Sequence, residues 1–437
     1  MKVLHIAAND ITGGAARAAN LLHRGLRGLG IASEMLVSDK RSDDPSVRTP
    51  SLSRRVDHRL ERFSRRKVAS LEERRLAKLR QPGSEFFSTP RTAYVGFWRD
   101  AVSEASVINL HLVARFLDYK DFFEAFPRSL PLIWTMHDIN AFTGGCHYAN
   151  GCEKFLTHCG ACPQLHSRRN RDTAWHTFAL KANAYANLNS DRVTLVGASS
   201  WMAREIRRSA LLGRFRVEHI PYGIDLDIFR PRDHHAVKAA FGIGPNERVV
   251  LFVSDVVNLR RKGSDLFLSA IRELKNKTRV VLISVGNGTM PEIDGIRSLN
   301  LGRIESDFIL SLVYNVADVF VIPSREEGFG LTAVEANACG CPVVGFAVGG
   351  IPDIVEDGET GFLVAPFEIW QLRDAIEKAL ERRDQMSVAC RTRAERHFGL
   401  ERQARAYSKL YGELIETPSA RGIDEAGTHA ALANQGT

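Results

Sequence analysis

Two glutamates, Glu327 and Glu335, flank a glycine turn and carry the side chains best suited to bind the hydroxyl groups of a ligand. They lie in the run PSREEGFGLTAVEA (323–336), where an apolar, strand-like segment passes into a helical one. A carboxylate offers two acceptor oxygens, which suit the vicinal hydroxyls of a sugar. Gly328 and Gly330 allow the backbone to approach a ligand closely, and the amides that begin the following helix favour an anion such as a diphosphate. The pattern therefore predicts a site for a nucleotide sugar.

This run resembles the E-x7-E motif of retaining glycosyltransferases of family 4, which have the two-domain fold called GT-B. Other segments agree with that family along nearly the whole chain; they are 220–225, Tyr314, Ala317, Asp318, 340–344 and 349–353. The resemblance implies that Glu327 contacts the transferred sugar and that Glu335 contacts the nucleotide ribose. It also implies donor contacts by the residues of the turn, which are Gly328, Phe329, Gly330 and Leu331.

Two cations, Arg261 and Lys262, follow the apolar segment VVLFVS. At the end of a strand such cations can neutralise a diphosphate, with lysine acting as a point charge. Many relatives in family 4 carry a Gly-Arg pair directly after this strand, whereas this chain has Ser254 and Asp255. We expect Arg260 or Arg261 to replace the missing charge.

The first half of the chain carries the other predicted half of the site. Gly13 and Gly14 lie in the first turn between a strand and a helix, and the family resemblance implies that this loop lies over the donor diphosphate. His137 follows the apolar segment LIWTM, where the family has a histidine beside the reacting sugar; His111, after VINL, is a similar but weaker candidate. Such a histidine could hydrogen-bond the sugar or stabilise charge as the bond breaks. A lone histidine after an apolar run more often has a structural role.

Four cysteines, Cys146, Cys152, Cys159 and Cys162, lie within 17 residues. The sequence leaves two alternatives, which are a structural zinc or thiol-stapled loop, and free cysteines in a compact loop. A catalytic zinc is not expected, because four cysteine ligands would leave no open coordination position. The surrounding segment resembles a subgroup of family 4 enzymes that build bacterial exopolysaccharide. Because it directly follows His137, we expect it to shape the acceptor side of the site.

The elements that position these residues alternate between strand-like and helical segments, which is typical of parallel α/β sheets. The chain has 437 residues, too many for one ordinary core and suited to two domains. We predict an α/β fold of the GT-B type, with two Rossmann-like domains whose parallel sheets face each other across a cleft. The predicted segments are 1–195 for the first domain with a cysteine loop at 144–165, 196–390 for the nucleotide-sugar-binding domain, 391–416 for a helix that packs back on the first domain, and 417–437 for a disordered tail.

A basic segment interrupts the first domain at 51–81, with eleven Lys and Arg against four Asp and Glu. Its apolar residues recur near helical spacing, which predicts one or two basic amphipathic helices. A solvated helical face is the commoner outcome for such a pattern, and an anionic membrane surface is the alternative. The first residues, MKVLHIAAND, are not typical of a signal peptide, and no apolar run reaches the ~18 residues of a membrane span. We expect a cytoplasmic protein, peripheral at the inner face of the membrane if the basic segment binds lipid.

Together these features predict a retaining glycosyltransferase of the hexosyltransferase class. It would move a sugar from a nucleoside diphosphate sugar to a saccharide or polyprenyl-linked saccharide, in bacterial exopolysaccharide or cell-surface glycan synthesis. Glu327 and His137 are the predicted catalytic residues, and no cofactor is expected to be required, because cations and helix amides can stabilise the leaving diphosphate.

Two other functions remain as alternatives. A sugar-nucleotide epimerase of the same fold would need a base beside the sugar and no acceptor site. A zinc-bearing nucleic-acid-binding protein is the weaker alternative, because the basic segment lacks interleaved aromatic residues; we therefore expect no nucleic-acid partner.

Overall fold

The computed structural model describes residues 1–50, 56–79 and 85–416, and within these the backbone alone of 56–63 and 66. The strands are β1 (Lys2–Asn9), β2 (Ala32–Asp39), β3 (Val47–Arg48), β4 (Val107–Leu110), β5 (Leu132–Met136), β6 (Val193–Gly197), β7 (Arg216–His219), β8 (Arg248–Val256), β9 (Val280–Asn287), β10 (Arg297–Asn300), β11 (Val319–Ile322), β12 (Val343–Phe346) and β13 (Gly361–Val364). The helices are α1 (Gly14–Gly28), α2 (Val56–Leu79), α3 (Arg99–Ser103), α4 (Tyr119–Ala125), α5 (Thr173–Tyr185), α6 (Ser200–Arg208), α7 (His234–Ala240), α8 (Ser264–Arg272), α9 (Asp307–Val316), α10 (Leu331–Ala338), α11 (Ile351–Ile354), α12 (Ile369–His397) and α13 (Leu400–Glu416).

The described strands form two parallel sheets. The first has the order β3-β2-β1-β4-β5-β6-β7 and the second the order β10-β9-β8-β11-β12-β13. Strands such as β5 and β6 are buried along their whole length, because helices cover both faces of a parallel sheet, and this explains their nearly continuous apolar sequences. The predicted architecture of two parallel α/β sheets is therefore confirmed.

Each sheet has one point where the order of its strands reverses, between β1 and β4 in the first sheet and between β8 and β11 in the second. At such a point the loops that leave the carboxyl ends of the two strands run in opposite directions and open a crevice for a ligand. Gly13 and Gly14 follow β1, Arg261 and Lys262 follow β8, and Glu327 follows β11. The topology thus places these five predicted site residues at the two reversal points, whereas His137 follows β5.

The first domain extends further than the sequence analysis predicts. Strands β6 and β7 pair with β5 and with each other in the first sheet, so this domain reaches His219 instead of ending at residue 195. The reason is that 193–197 forms a fully buried interior strand of the first sheet, whose edge strand is β7. The Pro- and Gly-containing segment that begins at Ile220 then leads into the second domain.

The second domain is predicted to end at residue 390 and to be followed by one helix over 391–416. The structure instead has two helices in this region, α12 and α13. Helix α12 continues to His397, and α13 packs on α1 of the first domain. The hydroxyls of Tyr407 and Tyr411 in α13 lie 2.9 Å from Thr135 Oγ1 and 2.8 Å from Asn109 Nδ2 beneath the first sheet. The chain therefore passes between the domains a second time.

The two passages between the domains lie side by side. The amide of Ile224 donates to the carbonyl oxygen of Phe398 at 2.8 Å, and the amide of Leu400 donates to the carbonyl oxygen of Ile224 at 3.1 Å. We call these two paired segments, 220–226 and 398–400, the hinge.

The basic segment forms one helix, α2, in the residues that the structure describes. Leu76 is buried against the first domain, whereas Val68 and Leu71 are 58% and 65% exposed. Among the described helices, none is both long enough and apolar enough to cross a membrane. The predicted disordered tail, 417–437, lies outside the described residues.

Candidate active site

A cavity of about 800 Å³ lies between the carboxyl edges of the two sheets. Both domains line it: the first contributes the glycine loop after β1 and His137 after β5, and the second contributes the loops after β8 and β11. Of the predicted site residues, Gly13, Gly14, His137, Arg261, Lys262, Glu327, Gly328, Phe329, Gly330 and Leu331 line this cavity. The remaining predicted residues, His111, Arg260 and Glu335, lie near it but do not line it.

Glu327 is held through one of its two carboxylate oxygens. Its Oε2 accepts hydrogen bonds from Lys262 Nζ at 2.7 Å and Ser324 Oγ at 3.1 Å, and Arg261 Nη1 lies 3.5 Å away. Burial alone would raise the pKa of Glu327, but the charges of Lys262 and Arg261 lower it on balance, so the group is ionised at neutral pH. In the described part of the chain no donor bonds to Oε1, which leaves that oxygen for a hydroxyl in the cavity.

Backbone contacts fix the position of Glu327. The amide of Gly350 donates to the carbonyl oxygen of Glu327 at 2.9 Å. Gly349 has a φ of 56°, and a Cβ there would lie 1.9 Å from the same oxygen, so only glycine fits. On the other side, Ser199 Oγ donates to the carbonyl oxygen of Gly328 at 2.6 Å, which ties the turn to the first domain. Gly349 and Gly350 therefore hold the loop that carries Glu327, which we call the glutamate loop.

Glu335 is fully buried, and both of its oxygens have partners. Arg17 Nη2, from the first domain, lies 2.9 Å from Oε1, and the Tyr314 hydroxyl donates to Oε2 at 2.9 Å. Burial raises the pKa of Glu335 more than Arg17 lowers it. Arg17 also pairs with Asp307 at 2.8 Å. Glu335, the residue predicted to bind the ribose, thus lies near the cavity but is covered by Arg17 of the first domain.

Arg261 contacts both sides of the cleft. It forms an ion pair with Glu85, its Nη1 donates to the carbonyl oxygen of Glu326 at 2.9 Å, and its guanidinium carbon lies 4.0 Å from the centre of the Tyr148 ring. Arg260 is exposed and lines a separate cavity of about 210 Å³ between the cysteine loop and the second domain. Of the two arginines that the sequence offers for the diphosphate, Arg261 is therefore the one at the main cavity.

A chain of hydrogen bonds runs from the core of the first domain to the cavity. His5 Nδ1 lies 2.9 Å from His111 Nε2, His111 Nδ1 lies 3.0 Å from His137 Nε2, and His137 Nδ1 lies 2.6 Å from the Tyr222 hydroxyl. Burial lowers the pKa of all three histidines, that of His137 to about 4 despite the nearby Asp138. Each ring is then neutral at pH 7, and His111 and His137 each donate through one nitrogen and accept through the other. Nε2 of the buried His5 has no hydrogen-bond partner in the described part of the chain.

This chain changes what His137 can do. Because His111 and Tyr222 occupy both of its ring nitrogens, a hydrogen bond from His137 to a sugar requires that one of these partners be displaced. His111 does not line the cavity and contacts the site through His137. The structure thus makes His111 a supporting residue, whereas the sequence analysis has it as a candidate binding residue.

The cysteine loop packs on the core of the first domain. In the regions that the structure describes, no group of three or more His, Cys, Asp and Glu side chains is placed to hold a metal ion. All the cysteines are free thiols, and burial raises the pKa of Cys146, Cys159 and Cys162, that of Cys159 to about 11. The described loop holds its cysteines as free thiols, and the structural zinc stays a prediction.

The loop is instead fixed by other groups. His147 lies 2.7 Å from Asp138 Oδ2 through Nδ1 and 2.9 Å from Ser88 Oγ through Nε2. The buried Lys181 donates to the carbonyl oxygens of Asn140 and Thr143. Burial lowers the pKa of Lys181 to about 8. These contacts carry Tyr148, two residues after Cys146, to the wall of the main cavity.

Three residues that line the cavity were not predicted from the sequence; they are Arg17, Glu85 and Tyr148. Arg17 could have been found, because it lies one helical turn after the glycine loop, where an arginine faces any ligand of that loop. Tyr148 belongs to the cysteine loop, but its sequence does not show that the ring reaches Arg261. Glu85 belongs to no motif, and only the fold brings it to the site.

The sequence similarity to known proteins lies mainly in the second domain. Residues 247–382 match the family described as glycosyl transferases group 1, and this range contains Arg261, Lys262, Glu327 and Glu335. The D-inositol 3-phosphate glycosyltransferases of Mycobacterium tuberculosis and Mycobacterium bovis are 40% identical over 175 residues, which are 38% of this chain and 36% of theirs. The chain thus matches about a third of the length of these curated relatives.

Solved structures resemble the whole chain. Sucrose-phosphate synthase from Thermosynechococcus elongatus has a TM-score of 0.61 at 19% identity, covering 95% of this chain and 99% of that one. The Anabaena protein HepE in complex with UDP and glucose has a TM-score of 0.61 at 17% identity, covering 94% and 99%. These likenesses confirm the predicted GT-B fold.

Proposed function

We propose that this protein is a retaining glycosyltransferase that moves a sugar from a nucleoside diphosphate sugar to a hydroxyl of a saccharide or lipid-linked saccharide. One observation carries the proposal: Glu327 is clamped through Oε2 by Lys262 and Ser324 while its Oε1 is left for a hydroxyl at the cavity. A carboxylate that is ionised, buried and half-satisfied is suited to bind a sugar hydroxyl in a fixed position.

The leaving diphosphate would be stabilised from both domains. Lys262 and Arg261 provide positive charge on one side, and the amides that begin α10 after Gly330 add partial positive charge. On the other side, α1 begins at Gly14 with no side-chain cap and no acidic residue in its first turn, so its amides are available to an anion. Charge that develops on a diphosphate would meet preorganised donors, and no metal ion or other cofactor is required in this mechanism.

The reaction would proceed on one face of the sugar. The bond from the anomeric carbon to the diphosphate breaks, the acceptor hydroxyl attacks from the same face, and its proton passes to the departing phosphate oxygen. Glu327 would hold the sugar hydroxyls during this step, and the neutral His137 would lie beside the ring. Ser199 already joins the two walls of the cleft, so the closed site would exclude water that could hydrolyse the donor.

The acceptor would reach the site from the side of the cysteine loop. Tyr148 and Glu85 separate the main cavity from the smaller one of about 210 Å³, and both residues line both cavities. A saccharide chain would extend through this second space. A role in exopolysaccharide or other cell-surface glycan synthesis fits an acceptor bound to a membrane lipid, with α2 as the surface that meets the inner face of the membrane.

A donor screen tests the proposal. Thermal shift measurements with UDP, GDP and ADP and their sugar conjugates should identify one diphosphate that stabilises the protein. Incubation of the matching sugar nucleotide with saccharide acceptors should then yield a product that retains the anomeric configuration. Conversion of the donor into an epimer without any acceptor would favour the epimerase instead, and the absence of stabilisation by every nucleotide would contradict both functions.

A further inference from the structure

Arg17 occupies a position that a donor would need. The sequence motif assigns Glu335 to the nucleotide ribose, yet Glu335 is fully buried and absent from the cavity wall. The group that covers it is the guanidinium of Arg17, which bonds to Oε1 at 2.9 Å, while Tyr314 takes Oε2. A ribose diol can therefore reach Oε1 only if Arg17 moves.

Arg17 has a place to move to. It lies in the first turn of the 15-residue helix α1, directly after the glycine loop, and its side chain is 26% exposed at the cavity. Its second partner, Asp307, also lines the cavity and is 29% exposed, so water and a ligand can compete for that contact. The guanidinium is thus at the boundary between the ribose carboxylate and the uncapped end of α1.

The diphosphate would need this charge. Glu327 and Glu85 already pair with Arg261, and Glu327 pairs with Lys262. Asp255 adds a negative charge to the cavity wall close to the glycine loop. Its Oδ2 lies 3.7 Å from the position that a Cβ on Gly13 would occupy. The loop that would cover the diphosphate therefore faces a carboxylate, which a nearby cation would offset. Arg24, Arg41 and Arg303 also line the cavity, but Arg17 lies in the first turn of the helix that directly follows this loop.

We propose that Arg17 is a placeholder that pairs with Glu335 in the empty site and moves to the donor diphosphate when the ribose diol takes its place. This inference rests on the proposed function. The exchange leaves no buried charge without a partner, because the two ribose hydroxyls donate to Glu335 while the arginine gains a bidentate phosphate contact. It also makes Arg17 a specificity-determining residue that recognises the diphosphate from the first domain.

Titration calorimetry with a phosphate series tests this role. Wild type, Arg17→Met and Arg17→Lys are each titrated with the nucleoside, monophosphate and diphosphate of uridine, guanosine and adenosine. For the base that wild type binds, Arg17→Met should lose at least about tenfold in diphosphate affinity, which corresponds to one charge-assisted hydrogen bond. Its nucleoside affinity should be unchanged or increased, because Arg17 no longer competes for Glu335. Arg17→Lys should retain part of the diphosphate preference, since it keeps the charge.

Arg27→Met is the matched control, because this arginine lies on the same helix, pairs with Asp44 and is absent from the cavity wall. It should behave like wild type in all titrations. An Arg17→Met protein that weakens nucleoside and diphosphate equally, or neither, would overturn the placeholder role and leave Arg17 as a simple bridge between the domains. A wild type that binds no nucleotide at all would overturn the proposed function as well as this inference.

Discussion

Tyr222 of the hinge places its hydroxyl 2.6 Å from His137 Nδ1, and its ring lies 4.9 Å from that of Phe329 in the glycine turn. One side chain of the hinge thus contacts both His137 of the first domain and Phe329 of the second. A change in the angle between the domains would act on all three together. Tyr222 therefore links the hinge to both His137 and Phe329.

The first prediction concerns this contact. Tyr222→Phe removes the hydroxyl but keeps the ring, so His137 Nδ1 loses its partner inside a buried site. We expect a loss of about 1–3 kcal/mol in the free energy of unfolding and roughly a tenfold lower kcat, with KM for the donor little changed. Steady-state kinetics with chemical denaturation measures both. An unchanged kcat would show that the hydroxyl does not position His137.

The second prediction concerns Glu327. Glu327→Gln keeps the shape of the side chain but removes the charge that binds Lys262 and the sugar. We expect kcat to fall at least about a hundredfold, as when other preorganised polar groups are removed from an active site. Glu356→Gln is the control. Glu356 is exposed, its Oε2 lies 2.9 Å from Arg393 Nη1, and neither residue lines the cavity. Normal transfer by folded Glu327→Gln would exclude Glu327 from catalysis.

The third prediction concerns acid stability. Asp318 precedes β11, and its buried carboxylate lies 2.7 Å from Lys238 Nζ and accepts from the Val249 amide at 2.7 Å. Burial would raise the pKa of Asp318, but His234, Lys238 and this amide together lower it to about 2 from an ordinary value of 3.8. The stabilisation is therefore fully present above about pH 4 and is lost as the pH falls towards 2, by roughly 2 kcal/mol.

Asp318→Asn tests this at neutral pH. It leaves the Lys238 ammonium buried without its charge partner, so we expect a loss of roughly 3 kcal/mol or more in the free energy of unfolding. The difference from wild type should shrink below pH 4. Asp384→Asn, at an 86% exposed side chain paired with Arg383, should change little. Urea denaturation at several pH values provides the measurement, and a difference independent of pH would contradict the role of the charge.

The fourth prediction concerns the cysteine loop. Because burial raises the pKa of Cys159 to about 11, little of its thiolate exists at pH 7.5, and alkylation should be slow. Mass spectrometry after brief iodoacetamide treatment should find the partly exposed Cys152 modified before Cys159 and Cys162. In urea all cysteines should react quickly. Protection of all four loop cysteines together with one bound zinc per chain would instead establish the zinc alternative.

The fifth prediction concerns α2. Its described part exposes Val68 and Leu71 beside Arg74, Arg75 and Lys78. We expect the protein to bind vesicles that contain anionic lipid and to dissociate as salt is raised. A variant with Val68→Ser and Leu71→Ser should bind more weakly at every salt concentration, because it lacks the apolar contact. Sedimentation that is equal for neutral and anionic vesicles would contradict the membrane role of this helix.

Local patterns in the sequence are sufficient for the longer buried strands, such as β1, β5, β8 and β11, and for the loops at their carboxyl ends, but they do not reveal the short strands β3, β7, β10 and β13. Glu327 and Lys262 could be assigned to one site because parallel strands bring their loops to the same edge of a sheet. Gly14 belongs to the other sheet, and only the family resemblance connects it with that site. The domain boundary was misplaced, because β6 and β7 belong to the first sheet through pairing that no local pattern reveals. A strand's sequence shows that it is buried but not which sheet buries it.

Contacts across the cleft could not be predicted for the same reason. The pairing of Arg17 with Glu335 joins residues 318 positions apart, and that of Arg261 with Glu85 joins residues 176 apart. Each depends on how the two domains meet. His137 lines the cavity, and its pairing with Tyr222 and His111 emerges only from the packing of three separate segments.

The paired passages of the chain at Ile224 and Leu400 restrict the relative motion of the domains. Two strands of backbone that are hydrogen-bonded to each other allow rotation about one line, whereas sliding or twisting would break both bonds at once. The cleft should therefore have one main degree of freedom, an opening angle. Donor entry, release of diphosphate and the movement of Arg17 would all have to occur along that single coordinate.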